Sequence, residues 1–172
     1  MYTPAEDEKL TTVMIYTRNA LIRGEAVSKV SVVRISIWLR SQGVPEYLHL
    51  LHPQVLRFGS GAVKNLSYSE IYVPHTDIIG FHIAPPASDG LDYDADEKNR
   101  TAVPATALVG NFLFAGILRV SAQTGITNSL EGSRATWLSM YDVHISNPDL
   151  PQMTIQVPML LVNPAKVSFG LA

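Results

Sequence analysis

The sequence predicts an all-β fold in which one small β-unit occurs twice. In "VVRISIWLR", residues 32–40, every second residue from Val33 is apolar, which is the pattern of a strand with one buried face. Helical periodicity is weak throughout the chain. The ending "IIGFHIA" at 78–84 recurs as "KVSFGLA" at 166–172, so one short chain uses nearly the same segment twice.

Composition restricts the class of protein. With 172 residues, 47% of them hydrophobic, the chain can bury the core of one ordinary domain or of two very small ones. The charged fraction of 16% is low, which favours a buried subunit interface. The absence of cysteine excludes disulfides, zinc–thiolate sites and cysteine nucleophiles. Apolar runs are about as long as a strand, so no transmembrane helix is expected. The absence of cysteine fits a cytoplasmic protein, and no membrane partner is expected.

Changes of composition divide the chain into four segments. Residues 1–10 are acidic and indicate an N-terminal arm or short helix. Residues 11–86 carry strand patterns separated by turns at "RSQGVPE" and "PHTD", with Gly24 marking a bend or bulge. Residues 87–100 include the acidic "DGLDYDADE" and predict a solvated linker. Strand patterns resume over residues 101–172.

The two strand-rich segments align with one another in three blocks. "TRNALIRGEAV" is matched with the segment around "GNFLFAGILRV", with Gly24 corresponding to Gly116 and Leu21 to Leu113. "YLHLLHPQVL" aligns with "WLSMYDVHIS". "EIYVPHTDIIGFHIA" lies without a gap on "PMLLVNPAKVSFGLA", so that Phe81 corresponds to Phe169. Blocks in the same order at nearly constant spacing indicate an internal duplication, in which each repeated ending is the last strand of one unit.

Each unit of about five strands resembles the Sm-like fold of the Sm, Lsm and bacterial host-factor RNA-chaperone proteins. The resemblance is carried by "ALIRGEAV", "YLHLLHPQVL" and "EIYVPHTDIIGFHI". The last of these is similar to the closing signature of the superfamily, in which a Tyr-containing strand turns sharply into a final apolar strand. The resemblance covers most of both repeats. The whole chain also looks like a bacterial family with no assigned activity.

The resemblance implies two small barrels per chain and assembly into a ring. Sm-like units pair the fourth strand of one unit with the fifth strand of the next, so three chains with two units each would form a six-barrel ring. RNA is an implied partner, contacted from the loop before the third strand and from the turn between the last two strands. The candidate ligand-binding residues in these loops and turns are Arg40, Gln42, Tyr47, His75, Asn128 and Asn163.

Other patterns indicate no metal site and no catalytic residue. His49 and His52 are three residues apart and would point to opposite faces of a strand, so they cannot chelate one ion. "FGSGA" at 58–62 lacks the Lys-Ser/Thr of a phosphate loop and indicates a flexible hairpin. "DGLDYDADE" misplaces the central Gly and closing Glu of a calcium loop. No cofactor is expected.

Three further features are expected to be structural. Trp137, which aligns with Tyr47, is expected in a core or an interface, although stacking on a nucleic-acid base is an alternative. His82 is expected on a solvent-facing or interface-facing side. In the first repeat, residues 11–86 hold seven Lys/Arg and four Asp/Glu. The side chains of Arg34, Arg40 and Arg57 are expected to form a shallow, solvated basic face there.

We therefore expect a non-enzymatic binding or scaffolding protein that assembles with copies of itself. RNA, a peptide and another protein are the ligand classes that this interpretation leaves open. The alternative is a single larger β-barrel that binds a small apolar molecule, or an enzyme on such a barrel. A ring would place the turns near His75 and Asn163 around a common axis. A single barrel would instead bury these turns beside an internal cavity.

Overall fold

The computed structural model describes residues 2–131 and 136–171. Strands make up most of this part of the chain, and two short α-helices and two 3-10 turns accompany them. The predicted all-β class is therefore confirmed. No helix in these two ranges is long and apolar enough to cross a membrane.

We call the chain up to Ile83 the first half and the chain from Arg100 the second half. The first half contains β1 (Glu8–Tyr16), β2 (Ala20–Lys29), α1 (Ile35–Arg40), β3 (Tyr47–Gly59), β4 (Ala62–Ser67), β5 (Glu70–Pro74), a 3-10 turn (His75–Asp77) and β6 (Gly80–Ile83). The second half contains β7 (Arg100–Val109), β8 (Phe112–Ser121), α2 (Gly125–Glu131), β9 (Leu138–Ser146), β10 (Thr154–Val162), a 3-10 turn (Pro164–Lys166) and β11 (Ser168–Leu171).

Residues 8–10 belong to β1 and not to an N-terminal arm or helix. Glu8 lies opposite Lys29 of β2, and the Lys29 ammonium also binds Asp7 at 2.9 Å. Opposite charges on neighbouring strands stabilise the pairing, so the acidic residues extend the sheet toward the N-terminus.

The second part of "VVRISIWLR", Ile35–Arg40, forms α1, so the predicted strand is wrong. Its apolar residues fit the two-residue period of a strand and also the 3.6-residue period of a helix. Ile35 and Leu39 are four residues apart and share one buried face of the helix. Ile37, which the strand pattern would bury, is 50% exposed. A distant carboxylate stabilises the first turn: Asp89 accepts hydrogen bonds from the backbone N–H and the hydroxyl of Ser36 (3.2 and 2.5 Å).

The eleven strands of the described residues form one antiparallel sheet in the order β11–β7–β8–β9–β10–β6–β1–β2–β3–β4. β5 pairs with the first part of β3, and β4 pairs with its second part. The last strand of each half pairs with the first, β6 with β1 and β11 with β7. Because β11 pairs with neither β4 nor β5, the sheet is open, and the structure does not show the two closed barrels that the resemblance implied.

The same strand order recurs in the two halves, β5–β3–β2–β1–β6 and β10–β9–β8–β7–β11. The register follows the sequence alignment in the first two blocks, since Ile22 lies opposite Val55 as Phe114 lies opposite Ile145. The third block is different: Val73 lies opposite Leu48 as Val162 lies opposite Leu138. The gapless alignment is therefore wrong by one residue over β5 and the 3-10 turn, because the first half has one more residue between its 3-10 turn and its last strand. It is right for the last strands, where Phe81 opposite Ile15 corresponds to Phe169 opposite Ala107.

Each half contains a β-bulge opposite a glycine of its second strand, as predicted for Gly24. The register shifts at Gly24 between β2 and β3 and at Gly116 between β8 and β9. The bulged strands contain His52 and Asp142, whose φ angles are 47° and 49°. A Cβ on Gly116 would lie 2.8 Å from both the Tyr141 carbonyl oxygen and Val143 Cγ2, so only glycine lets the bulged strand approach.

Two hydrophobic clusters form the interior, and both contain residues from both halves. The first-half core includes Val13, Ile15 and Phe81, the α1 side chains, and Trp137 and Leu161 from the second half. The second-half core includes Phe112, Phe114 and Leu118, together with Tyr16, Phe58 and Ile79 from the first half. The halves are therefore packed into each other and do not have separate cores.

The joint between the halves is the pairing of β10 with β6. Leu161 lies opposite Phe81 and Val162 opposite Gly80, and the Asn163 N–H donates to the Ile79 carbonyl at 2.8 Å. A Cβ on Gly80 would lie 2.9 Å from Phe114 Cε2. Gly80 therefore allows the second-half core to pack directly on the backbone of the first half.

We predict that Gly116→Ala lowers the free energy of unfolding by about 1–3 kcal/mol, because its methyl group overlaps the bulged backbone of β9. Gly24→Ala should cost less, since its Cβ would meet its nearest neighbour, Leu50 Cβ, at 3.2 Å. Gly90→Ala is the control, with nothing within 4 Å of the added Cβ. Urea unfolding measures all three, and equal losses for Gly116→Ala and Gly90→Ala would contradict the steric account.

Candidate functional site

A groove of about 810 Å³ is lined by residues of both 3-10 turns. We call it the turn groove. Asp77 comes from the turn of the first half, and Ala165 and Lys166 come from the turn of the second half. Asn163 begins the second turn, where its side-chain oxygen accepts a hydrogen bond from the Ala165 N–H at 3.1 Å. Two turns that are distant in sequence therefore meet at one surface.

The turn groove has an apolar floor and a charged rim. Its floor contains the buried side chains of Ile22, Val73 and Ile79. Its rim contains the charged side chains of Arg18, Lys166 and Asp77. The other lining residues are Thr17, Asn19, Ile71, Tyr72, Pro74, Ala165, Val167 and Ser168. β5 forms one wall, and its only partner among the described strands is β3. The groove therefore combines apolar surface with a free strand edge, which are the features of a site for a chain segment or an amphipathic molecule.

A second surface is formed by residues 89–97, which we call the acidic strap. Asp89 binds the first turn of α1, and Arg34 donates a hydrogen bond to the Gly90 carbonyl. Asp92 binds Arg40 at the last turn of α1, at 2.5 Å. The strap therefore follows α1 from one end to the other. The predicted solvated linker is wrong for Asp89 and Asp92, because their side chains bind α1.

The same strap also binds the second half. The Asp92 carboxylate accepts hydrogen bonds from the Ser139 and Tyr141 hydroxyls, both at 2.6 Å. The Arg119 guanidinium lies over the Tyr93 ring at 3.7 Å from its centroid, and it also donates to the Asp94 carbonyl at 3.2 Å. The strap thus connects α1 of the first half with β8 and β9 of the second half.

Asp92 is the centre of this network. Desolvation raises the pKa of its carboxyl group, but hydrogen bonds from Ser139, Tyr141 and Arg40, with the charge of Arg40, outweigh it and hold the pKa below its usual range. Desolvation and the hydrogen bond to Asp92 raise the pKa of Tyr141. The pair is therefore an ionised carboxylate that accepts a hydrogen bond from a neutral phenol, and this bond holds the strap on β9.

His82 is buried, so the prediction that it lies on a solvent-facing or interface-facing side is wrong. Its ring is 2% exposed, and its Nδ1 lies 2.8 Å from the Ile83 carbonyl oxygen, which requires a proton on Nδ1. Nε2 then accepts a hydrogen bond from the Tyr16 hydroxyl at 3.0 Å. Burial lowers the pKa of His82 to about 4, so the imidazole is neutral at physiological pH.

Of the six predicted binding residues, Arg40 and His75 each lie beside Trp137. Tyr47 lies opposite Pro74, the residue before His75. Arg40 and Trp137 line one cleft of about 340 Å³ beside the strap. The His75 ring packs on Trp137 with 6.0 Å between centroids, and the His75 N–H donates to the Glu46 carbonyl, directly before Tyr47. Trp137 itself is 5% exposed, as expected for a core residue. The remaining three residues lie elsewhere: Gln42 and Asn128 are exposed, and Asn163 is buried at the start of the second-half 3-10 turn.

The predicted basic face is divided by the structure. Arg34 and Arg40 bind the strap, and only Arg57 is in an exposed position on β3 without a strap contact. Sequence reasoning missed Asp89, Asp92 and Tyr141 as a network. The signal available was Tyr93, an aromatic residue within an acidic segment, which favours attachment over free solvation.

We predict that Asp92→Asn lowers the free energy of unfolding at pH 7 by about 1.5–3 kcal/mol, because a charged acceptor of three hydrogen bonds is lost. The lowered pKa means that this stabilisation is present above the ordinary carboxyl pKa and is lost as pH falls below about 4. Urea unfolding of both proteins at pH 7 and pH 3 measures it. Exposed Asp96→Asn is the control, and a pH-independent difference for Asp92→Asn would contradict the assignment.

We predict that His82 makes the protein less stable in mild acid. Its folded pKa of about 4 lies below the ordinary value of about 6.5, so between these values only the unfolded state binds the proton. Stability should fall by about 1.4 kcal/mol per pH unit from pH 6.5 downward. His82→Gln should reduce this slope, whereas His144→Gln, at an exposed position, should leave it unchanged. Equal slopes in all three proteins would contradict this role.

The comparisons with known proteins leave the Sm-like resemblance as a sequence-based prediction. No protein-family model matches the sequence, and neither curated proteins nor solved structures match it. The geometry above is therefore the ground for inferring a function, and its main elements are the joint, the turn groove and the free edges of β5 and β11.

Proposed function

We propose that this chain is a non-enzymatic scaffolding protein with two Sm-like units, which assembles with copies of itself through the edges of β5 and β11. Three chains would then form a ring of six units. The observation that carries the proposal is the β10–β6 joint, which pairs the strand before the 3-10 turn of the second half with the strand after the 3-10 turn of the first half. With the extra strand β4 left out of the count, these correspond to the fourth and fifth strands by which Sm-like units pair. In the repeated strand order β5 corresponds to β10 and β11 corresponds to β6. The edges of β5 and β11 that would form the same pairing have no partner among the described strands.

The internal joint predicts the register between chains. By the strand register, Tyr72 and Val73 correspond to Leu161 and Val162. Phe169 and Ser168 correspond to Phe81 and Gly80. Tyr72 of one chain would therefore lie opposite Phe169 of the next, and Val73 opposite Ser168.

The chemistry of the two edges supports this pairing. Tyr72 is 56% exposed and Leu171 is 54% exposed, so each edge presents an apolar side chain to solvent. Pro74 occupies the position of Asn163 and has no N–H to donate, so this contact would have one hydrogen bond fewer than the internal joint. A weaker contact at the outer edges is consistent with association between separate chains.

In this proposal RNA is a ligand class to be tested on the assembled ring. Arg18 and Lys166 at the turn groove supply positive charge, and Asp77 opposes it. His75, a candidate ligand-binding residue in the first-half turn, packs on Trp137. Co-purifying nucleic acid, seen as excess absorbance at 260 nm, would support RNA as the ligand.

A second candidate function rests on the size of the turn groove. Its volume of about 810 Å³ and its apolar floor suit a small amphipathic molecule bound by a single chain. In that case the edges of β5 and β11 would stay unpaired in solution. The native mass separates the two candidates.

We predict that the native mass by light scattering is that of three chains, and that Tyr72→Lys reduces it toward one chain. A lysine at a strand edge disfavours pairing with another strand, because its ammonium group must stay hydrated. Tyr68→Lys is the matched control, since Tyr68 is 49% exposed but lies outside β5. A wild-type monomer with native circular dichroism would reject the ring and leave the small-ligand candidate.

A further inference from the structure

The hairpin of β3 and β4 places two cations directly opposite each other. Arg57 of β3 pairs in register with Lys64 of β4, so their side chains leave the same face of the sheet. Both residues are exposed. Like charges at directly opposite positions destabilise a strand pair, so this hairpin contains a repulsion that its folding does not require.

The charges of this pair are not neutralised by the surrounding protein. Within residues 2–131 and 136–171, neither Arg57 nor Lys64 forms a salt bridge, although Arg40, Arg100, Arg119 and Lys29 do. Ala20, which lies opposite Arg57 on β2, is apolar. The two cations are therefore available to an anion from solution.

A groove of about 390 Å³ accompanies the pair. Its lining contains Arg57 and Lys64 and no acidic residue, together with Asn19, Phe58, Gly59, Ser60 and Ala62. The amide of Asn19 and the hydroxyl of Ser60 add uncharged polar groups. Gly59 has open space where a Cβ would be, so the turn leaves the groove accessible.

Acidic residues line two neighbouring grooves but not this one. Asp149 lines a groove with Phe58 and Val63, which pack on the second-half core. Val63 and Lys64 are consecutive on β4, so their side chains point to opposite faces. Asp77 lines the turn groove, where Arg18 and Lys166 also lie. The Arg57–Lys64 face therefore keeps a positive charge of two.

We propose that Arg57 and Lys64, with Asn19 and Ser60, form a binding site for a phosphate group. An arginine fork and a lysine ammonium on the same face supply charge-assisted hydrogen bonds to the oxygens of one anion, and the bound anion removes their mutual repulsion. The groove volume fits a small organic phosphate. The site uses neither β5 nor β11, so it is independent of the proposed assembly.

The test uses inorganic phosphate and pyrophosphate as probes, with chloride at matched ionic strength. Titration calorimetry should show binding to the wild-type protein, weakened about tenfold or more in Arg57→Gln and in Lys64→Gln, because one charged donor is lost. Arg23→Gln is the control, with the same charge change on β2 opposite Gln54 and outside the groove. It should bind as the wild type does.

A second measurement addresses the repulsion directly. Without phosphate, Lys64→Gln should raise the thermal unfolding midpoint, because the opposing charge is gone. Millimolar phosphate should raise the midpoint of the wild type and of Arg23→Gln, and it should raise that of Lys64→Gln by less, because this variant binds phosphate more weakly. Equal phosphate responses in all the proteins, or no phosphate response in the wild type beyond that of chloride, would overturn the proposal.

Discussion

The pairing of β10 with β6 is the interaction on which the rest of the structure depends, because it makes one sheet out of two halves. Gly80 is central to it, since the Phe114 ring packs where a Cβ would be. The contact brings Tyr16 and Ile79 into the second-half core, and it brings Leu161 into the first-half core. Neither half could bury its apolar surface in this way alone, so the cores and the joint require each other.

The acidic strap supplements this joint with polar contacts. A connection of this composition would be solvated if it had only water to bind. Here Asp89 supplies hydrogen-bond acceptors that α1 lacks in its own sequence, since the Arg34 side chain does not cap the helix. Asp92 then joins α1 to β9 through Arg40 and Ser139. The orientation of the halves therefore depends on apolar packing at the joint and on ionic contacts along the strap.

The surfaces proposed for function are positions where the two halves differ. Both halves have the same strand order and the same bulge, yet only the first half carries the β3–β4 hairpin with Arg57 and Lys64. The position of Asn163, which donates to Ile79 in the internal joint, is occupied by Pro74 at the outer edge. The strand order that recurs in both halves therefore forms the scaffold. Residues that differ between the halves form the proposed charged site, at Arg57 and Lys64, and the proposed weaker edge, at Pro74.

The sequence by itself determined the all-β class, the bulge at Gly24 and most of the correspondence between the halves. These properties depend on local patterns, namely period-two alternation and glycine at a close approach. Only the tertiary structure decided the state of residues 35–40, because Ile35 and Leu39 fit both a strand and a helix. The capping carboxylate of this helix, Asp89, lies far along the chain.

The candidate site, like the fold, was predictable from the sequence only in part. Turn chemistry located the two turns, but the sequence could not show that Asp77 and Lys166 border one groove, because that depends on the β10–β6 joint. It also could not show that Arg40 is bound to Asp92 while Arg57 faces Lys64. Residue type sets the charge of a side chain, whereas strand register and chain crossings decide which charges meet. That is the physical reason why the fold class was predictable and the sites were not.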